Sequence, residues 1–201
     1  MARLKATSAG VIATASMPPI SPSKVSAGTV NRNYLPSGSV LQIVSKVNTS
    51  YSTATLDLGY WTTVPDMSLQ IVPLRANSKF RIDVRWGGEV VSAWDVVFAI
   101  SRNGEIIGTP TQEGTRMGAV GMPLQSYVDD DNNSTLEYSC FSYIDEPNLG
   151  QTISVLPQTY SLVAKAWSSR TLYTGCVVNI GQDSSNYERI STEISITEIA
   201  A

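Results

Sequence analysis

Apolar and polar residues alternate without a break from Lys79 to Trp86. Phe80, Ile82, Val84 and Trp86 fall on one side of an extended chain, and Lys79, Arg81, Asp83 and Arg85 on the other. Side chains of a strand change face at every residue, so this stretch predicts a strand with one dry and one wet face. Such alternation belongs to antiparallel sheets, because parallel strands are covered on both faces and read as unbroken apolar runs.

The same reading extends along the chain. Residues 40–47 predict a strand and Asn48-Thr49-Ser50 a turn. Residues 52–64 are rich in threonine, Pro65-Asp66 interrupts them, and 68–73 predict another strand. Gly87-Gly88 is a turn signal. Residues 90–101 are apolar on both parities and rich in β-branched and aromatic side chains, as in a central strand covered on both sides. Asn103-Gly104 tolerates the positive φ of a type I′ turn and predicts a hairpin into Glu105-Ile106-Ile107. Residues 108–134 are the longest irregular stretch. Strands are then expected at 136–143, 159–167, 175–180 and 190–199. Roughly eight to ten short strands with turn signals between them, and no capped amphipathic helix, predict an all-β fold: an antiparallel β-sandwich, jelly-roll-like.

Residues 1–37 follow no period. Pro18-Pro19, Pro22 and Pro36 oppose helix and ladder pairing, and small residues fill the gaps. The division expected is an extended N-terminal anchoring arm, 1–37, and a sandwich domain, 38–201. Charge follows the same division. The arm carries Arg3, Lys5, Lys24 and Arg32 and no acid; the whole chain is −3, so the remainder is −7. A basic arm on an acidic body implies that the arm has a partner surface of its own, with those four cations as its anchoring residues. The acidic body argues against nucleic acid as a ligand. No run approaches the ~20 apolar residues of a membrane span, so no membrane insertion is expected.

Candidate chemistry is sparse. The chain has no histidine, which removes Ser-His-Asp and Cys-His catalysis and imidazole-based zinc sites. Cys140 and Cys176 are far apart and match no metal spacing; two small buried thiols suit them better than a disulfide scaffold. Asp129-Asp130-Asp131-Asn132-Asn133 offers oxygen atoms for calcium but lacks the spaced ligand pattern, so a solvated acidic loop is favoured. A carboxylate pair for glycoside hydrolysis could come from Glu89, Asp95, Glu113 or Glu137, but no motif singles out two of them. No catalytic residue, cofactor or metal is therefore expected. Tyr34, Tyr51, Tyr60, Trp61, Tyr127, Tyr143 and Tyr173 lie in or near turns. Such aromatics stack on sugars or anchor interfaces when exposed, and pack as core or subunit contact otherwise.

Gly38-Ser39-Val40-Leu41-Gln42, Leu69-Gln70-Ile71-Val72-Pro73, Ser78–Val84, Phe98–Gly108 and Ile194–Ile199 together resemble a tail-fibre-like module common in tailed-bacteriophage virion proteins. The likeness spans 38–201. It implies a non-enzymatic β-sandwich, a homo-trimer, on the outer surface of a virion. Residues 1–37 would bind other virion proteins, and the sandwich would meet a host-surface glycan or protein. The chain has no collagen-like repeat or heptad shaft before Gly38, which favours a short fibre or appendage for host attachment over a long fibre. A capsid decoration (cement) protein is the alternative, and a particle-borne glycan-cleaving enzyme a third.

Overall fold

A computed structural model describes residues 35–90, 96–111, 114–124, 135–147, 156–178 and 188–201. Arg3, Lys5, Lys24, Arg32, Tyr34, Asp95, Glu113, Tyr127 and the 129–133 run lie outside the described residues. Ten strands occupy the described part: β1 Val40–Asn48, β2 Ser52–Leu56, β3 Thr62–Ile71, β4 Lys79–Val90, β5 Val96–Arg102, β6 Glu105–Ile107, β7 Glu137–Asp145, β8 Gln158–Ala166, β9 Arg170–Thr174 and β10 Thr192–Ile199. No helix occurs among the described residues.

The strands form two antiparallel sheets packed face to face. Sheet A has the order β1-β10-β4-β9-β2, with β7 on the other edge of β4, and sheet B has the order β3-β8-β5-β6. β10 and β9 succeed each other along one side of β4, pairing with its residues 79–85 and 88–90. Without the short β2 and β9, the sheets read β1-β10-β4-β7 and β3-β8-β5-β6. Strands one, eight, three and six of the main set thus face strands two, seven, four and five, which is jelly-roll connectivity.

The alternation that predicted β4 is realised. Phe80, Ile82, Val84 and Trp86 are buried, while Arg81 and Arg85 are exposed. Trp86 meets Phe98 of the opposite sheet with ring centroids 4.9 Å apart, and Phe80 meets Tyr160 at 6.0 Å. Burying each such side chain stabilises the fold by about 1.5–3 kcal/mol, which makes the space between the sheets the main source of stability. β5 lies between β8 and β6 and is buried on both parities, as its unbroken apolar run requires. Asn103 and Gly104 have φ of 50° and 89°, so the β5–β6 turn takes the left-handed geometry that the pair permits.

Three local expectations are corrected. Gly87-Gly88 is not a turn, because β4 runs through it to Val90. The glycines answer a steric demand: a Cβ on Gly88 would lie 1.9 Å from the Tyr173 carbonyl oxygen, where β9 takes over the edge of β4. Pro65-Asp66 does not end a strand either. It forms an irregularity within β3, with a register shift between Thr63 and Ser68 and Asp66 at φ 62°. β3 is an edge strand, where a missing ladder donor is tolerated. Finally, the strand expected at 175–180 is displaced to 170–174, where β9 pairs with β2. Only Leu172 of β9 is a large buried apolar residue, so its own sequence carries little pattern.

Two buried carboxylates, both in register with Phe80 of β4, lock one end of the sandwich. Asp145 on β7 accepts two hydrogen bonds from Arg102 Nη1, both 2.8 Å, and one from the Tyr160 hydroxyl at 2.7 Å. Arg102 and Tyr160 belong to sheet B, so this clasp joins the sheets. Glu198 on β10 accepts from the Ser78 hydroxyl at 2.6 Å, the Gln42 side-chain amide at 2.6 Å and the backbone amides of Leu74 and Arg75. It pins the β3–β4 connection to β10. Each carboxylate has the donors that burial demands.

Candidate ligand groove

A concavity on the outer side of sheet B lies at the end of β8. A turn brings its two sides together. Gly59, at φ 79°, donates its amide to the Ala166 carbonyl (3.1 Å), the Tyr60 amide donates to the Asp57 carbonyl (3.2 Å), and Leu58 bridges to Ala166. Thr62 of β3 is paired with Ala164 of β8, so Trp61 arrives beside Lys165. Trp167, in the bend that follows β8, borders the same space as Lys165. The Lys165 ammonium is 5.7 Å from the centroid of the Trp61 ring, a cation–π contact.

The opposite wall comes from the connection after β6. Thr109, Pro110, Gly114, Thr115, Arg116, Met117 and Gly118 border the same space as Trp61, Lys165 and Trp167, and the groove holds ≈310 Å3. Gly118 lets the wall fold tightly, since a Cβ there would lie 2.9 Å from the Pro110 carbonyl oxygen. Trp61 is half-buried, whereas Trp167 is 53% exposed and neighbouring Tyr60 is 73% exposed. An open indole, a second indole capped by an ammonium, two threonine hydroxyls and a guanidinium thus surround one slot. Aromatic faces with a few polar groups around them are what a ring-shaped, hydroxylated ligand needs.

The outer face of sheet A differs. A shallow depression of ≈400 Å3 is bordered by Asp83, Arg85, Cys140, Phe141, Ser142, Glu193 and Ser195. Its charges satisfy one another: Arg81 pairs with Asp83 at 2.9 Å, Arg85 with Glu193 at 3.5 Å, and Ser142 donates to Asp83.

The sequence candidates separate accordingly. Trp61 stands at the groove, and Tyr60 is its exposed neighbour in the chain. Tyr51 is exposed under the Arg189 guanidinium (5.3 Å), Tyr143 packs against the core, and Tyr173 lies on β9. Trp167 falls within the strand expected at 159–167, but β8 ends at Ala166 and Trp167 lies in the bend after it. Glu89 and Glu137 are both buried, but they do not form a pair. Glu137 is opposite Gly88 in the β4–β7 register, so Glu89, one residue on, turns to the other face of the sheet. Glu137 accepts from the Val90 amide and Glu89 from the Val178 amide. Cys140 and Cys176 are both free thiols. Cys176 is buried as expected, and burial pushes its thiol pKa up, but Cys140 is exposed on the outer face of β7.

No protein-family model and no curated protein matches the chain.

Proposed function

We propose that the chain is a non-enzymatic surface protein of a tailed-phage virion that attaches to host carbohydrate through the Trp61–Trp167 groove. Residues 1–37 serve as the anchor to other virion proteins, and the jelly-roll sandwich faces outward. The observation that carries the attachment reading is the open Trp167 indole, which borders one groove with Trp61 and Lys165 at the ends of β3 and β8. The virion setting rests on the sequence resemblance over 38–201. Jelly rolls serve in viral capsids and in lectins alike, but fold alone does not assign function. The non-enzymatic reading is supported by Glu89 and Glu137, which face opposite sides of β4–β7 and are each tied to a backbone amide. The homo-trimer that the resemblance implies finds a contact surface in edge strand β1, whose Ile43 and Val47 are exposed on one face.

The test is retention of the full-length protein on a panel of immobilised oligosaccharides and on host cells. Wild-type protein should be retained, and Trp167→Ala should lose at least tenfold in affinity while melting within a few degrees of wild type. Equal retention of Trp167→Ala would remove the groove as the attachment site. Retention on purified shells but not on cells or sugars would replace attachment by the decoration role.

A further inference from the structure

We propose that the sugar unit seated in the groove is an acidic one, carrying a carboxylate or sulfate that meets Lys165. This rests on the groove being the carbohydrate site. Four observations lead to it. No carboxylate lines the groove among the described residues, whereas Lys165 and Arg116 both do. The rest of the body is acidic: residues 38–201 are −7. Lys165 has no carboxylate within ion-pair distance among the described residues, and its ammonium sits instead over the Trp61 ring. On sheet A, by contrast, Arg81 and Arg85 are spent on Asp83 and Glu193.

An ammonium held over an indole keeps its charge and most of its donor capacity. Trp61 fixes its position, and the cation–π contact leaves N–H groups directed away from the ring. A ligand stacked on Trp167, which borders the same groove as Lys165, brings a ring substituent toward that ammonium. A neutral sugar would gain a hydrogen bond there. An anionic one gains a charge-assisted bond, which is shorter and about twice as strong. At long range the acidic body opposes an anionic ligand, but beyond about 8–10 Å that repulsion is screened at physiological salt. The local cations decide at contact.

The experiment uses the full-length chain and a panel of matched oligosaccharides: neutral hexose oligomers, uronic-acid oligomers with their carboxyl-reduced counterparts, and sulfated oligomers with their desulfated counterparts. The tightest ligands are expected among the acidic members. Reducing or desulfating such a ligand should weaken binding at least tenfold, as should Lys165→Gln, and Lys165→Arg should recover most of the loss. Whichever acidic arm responds identifies carboxylate or sulfate as the recognised group. If the tight ligands are neutral, depend on Trp167 and are indifferent to Lys165→Gln, the groove reading survives and the acidic specificity is wrong. If no member binds, or binding ignores Trp167→Ala, the groove reading itself falls, and this inference with it.

Discussion

The two outer faces of this sandwich are made from the same kinds of residue and behave differently. On sheet A, Arg85 faces Glu193 across the β4–β10 register and Arg81 pairs with Asp83 two residues along β4, so each cation finds a carboxylate next to it. Exposed pairs of this kind add at most about 1 kcal/mol each, and they leave a flat surface with its charge neutralised internally. On sheet B, Lys165 has an aromatic cross-strand neighbour instead of an acid, and residues 109–110 and 114–118 form a wall beside it. A cation beside an indole stays available to a third party, whereas a cation beside a carboxylate is occupied. Strand register, by choosing that neighbour, separates the face proposed to bind from one whose charges are neutralised.

The largest effect tests whether sheet A has an inert face at all. Val84→Asp places a carboxylate in the 3%-exposed position of a core side chain, which should cost several kcal/mol. Arg85→Ala, one residue on and facing out, should stay within about 0.5 kcal/mol. Thermal unfolding of the two variants checks this. Equal losses would mean that the outer face of β4 is covered by something, such as a second copy.

A smaller loss is expected at the clasp between the sheets. Asp145→Ala leaves the Arg102 guanidinium in place without its bidentate partner, which should cost about 3 kcal/mol. Chemical denaturation should register the loss. Sugar retention by the folded fraction should be unchanged, because the groove is built from sheet B and the wall beside it. Loss of retention in folded protein would show that the two faces are coupled through the interior.

The smallest effect is a dependence on alkaline pH. Burial, and then the hydrogen bond to Asp145, push the Tyr160 phenol pKa well above its usual range. A raised folded pKa makes the contribution complete below the unfolded tyrosine value of about 10 and lost as pH climbs beyond it. Stability should therefore fall above that pH. Tyr160→Phe should lose about 1 kcal/mol at neutral pH and show a shallower alkaline decline. An unchanged slope would remove Tyr160 from that decline.

Much of the fold was legible because its signals are local. Alternation in 79–86 needs only the two-residue repeat of a strand, the Asn103-Gly104 hairpin only the φ preferences of two residues, and the apolar run before it only the need for cover on both faces. The misread segments depend on tertiary context. Gly87-Gly88 and 170–174 take their conformation from distant partners, Tyr173 and the strands β2 and β4, and Pro65-Asp66 is permitted by the edge position of β3.

Of the groove, the sequence by itself supplied one aromatic at a turn, Trp61, and the absence of histidine. It also determined the two-faced strands, the hairpin and a body of net negative charge, since these depend on neighbours in the chain or on composition alone. Only the tertiary structure decided that Trp61 meets Lys165 from a distant part of the chain, that residues 109–110 and 114–118 line the other side, and that Glu89 and Glu137 look away from each other. Pairing register is the reason: it is fixed by the burial of all strands together, and no single stretch of the chain contains it.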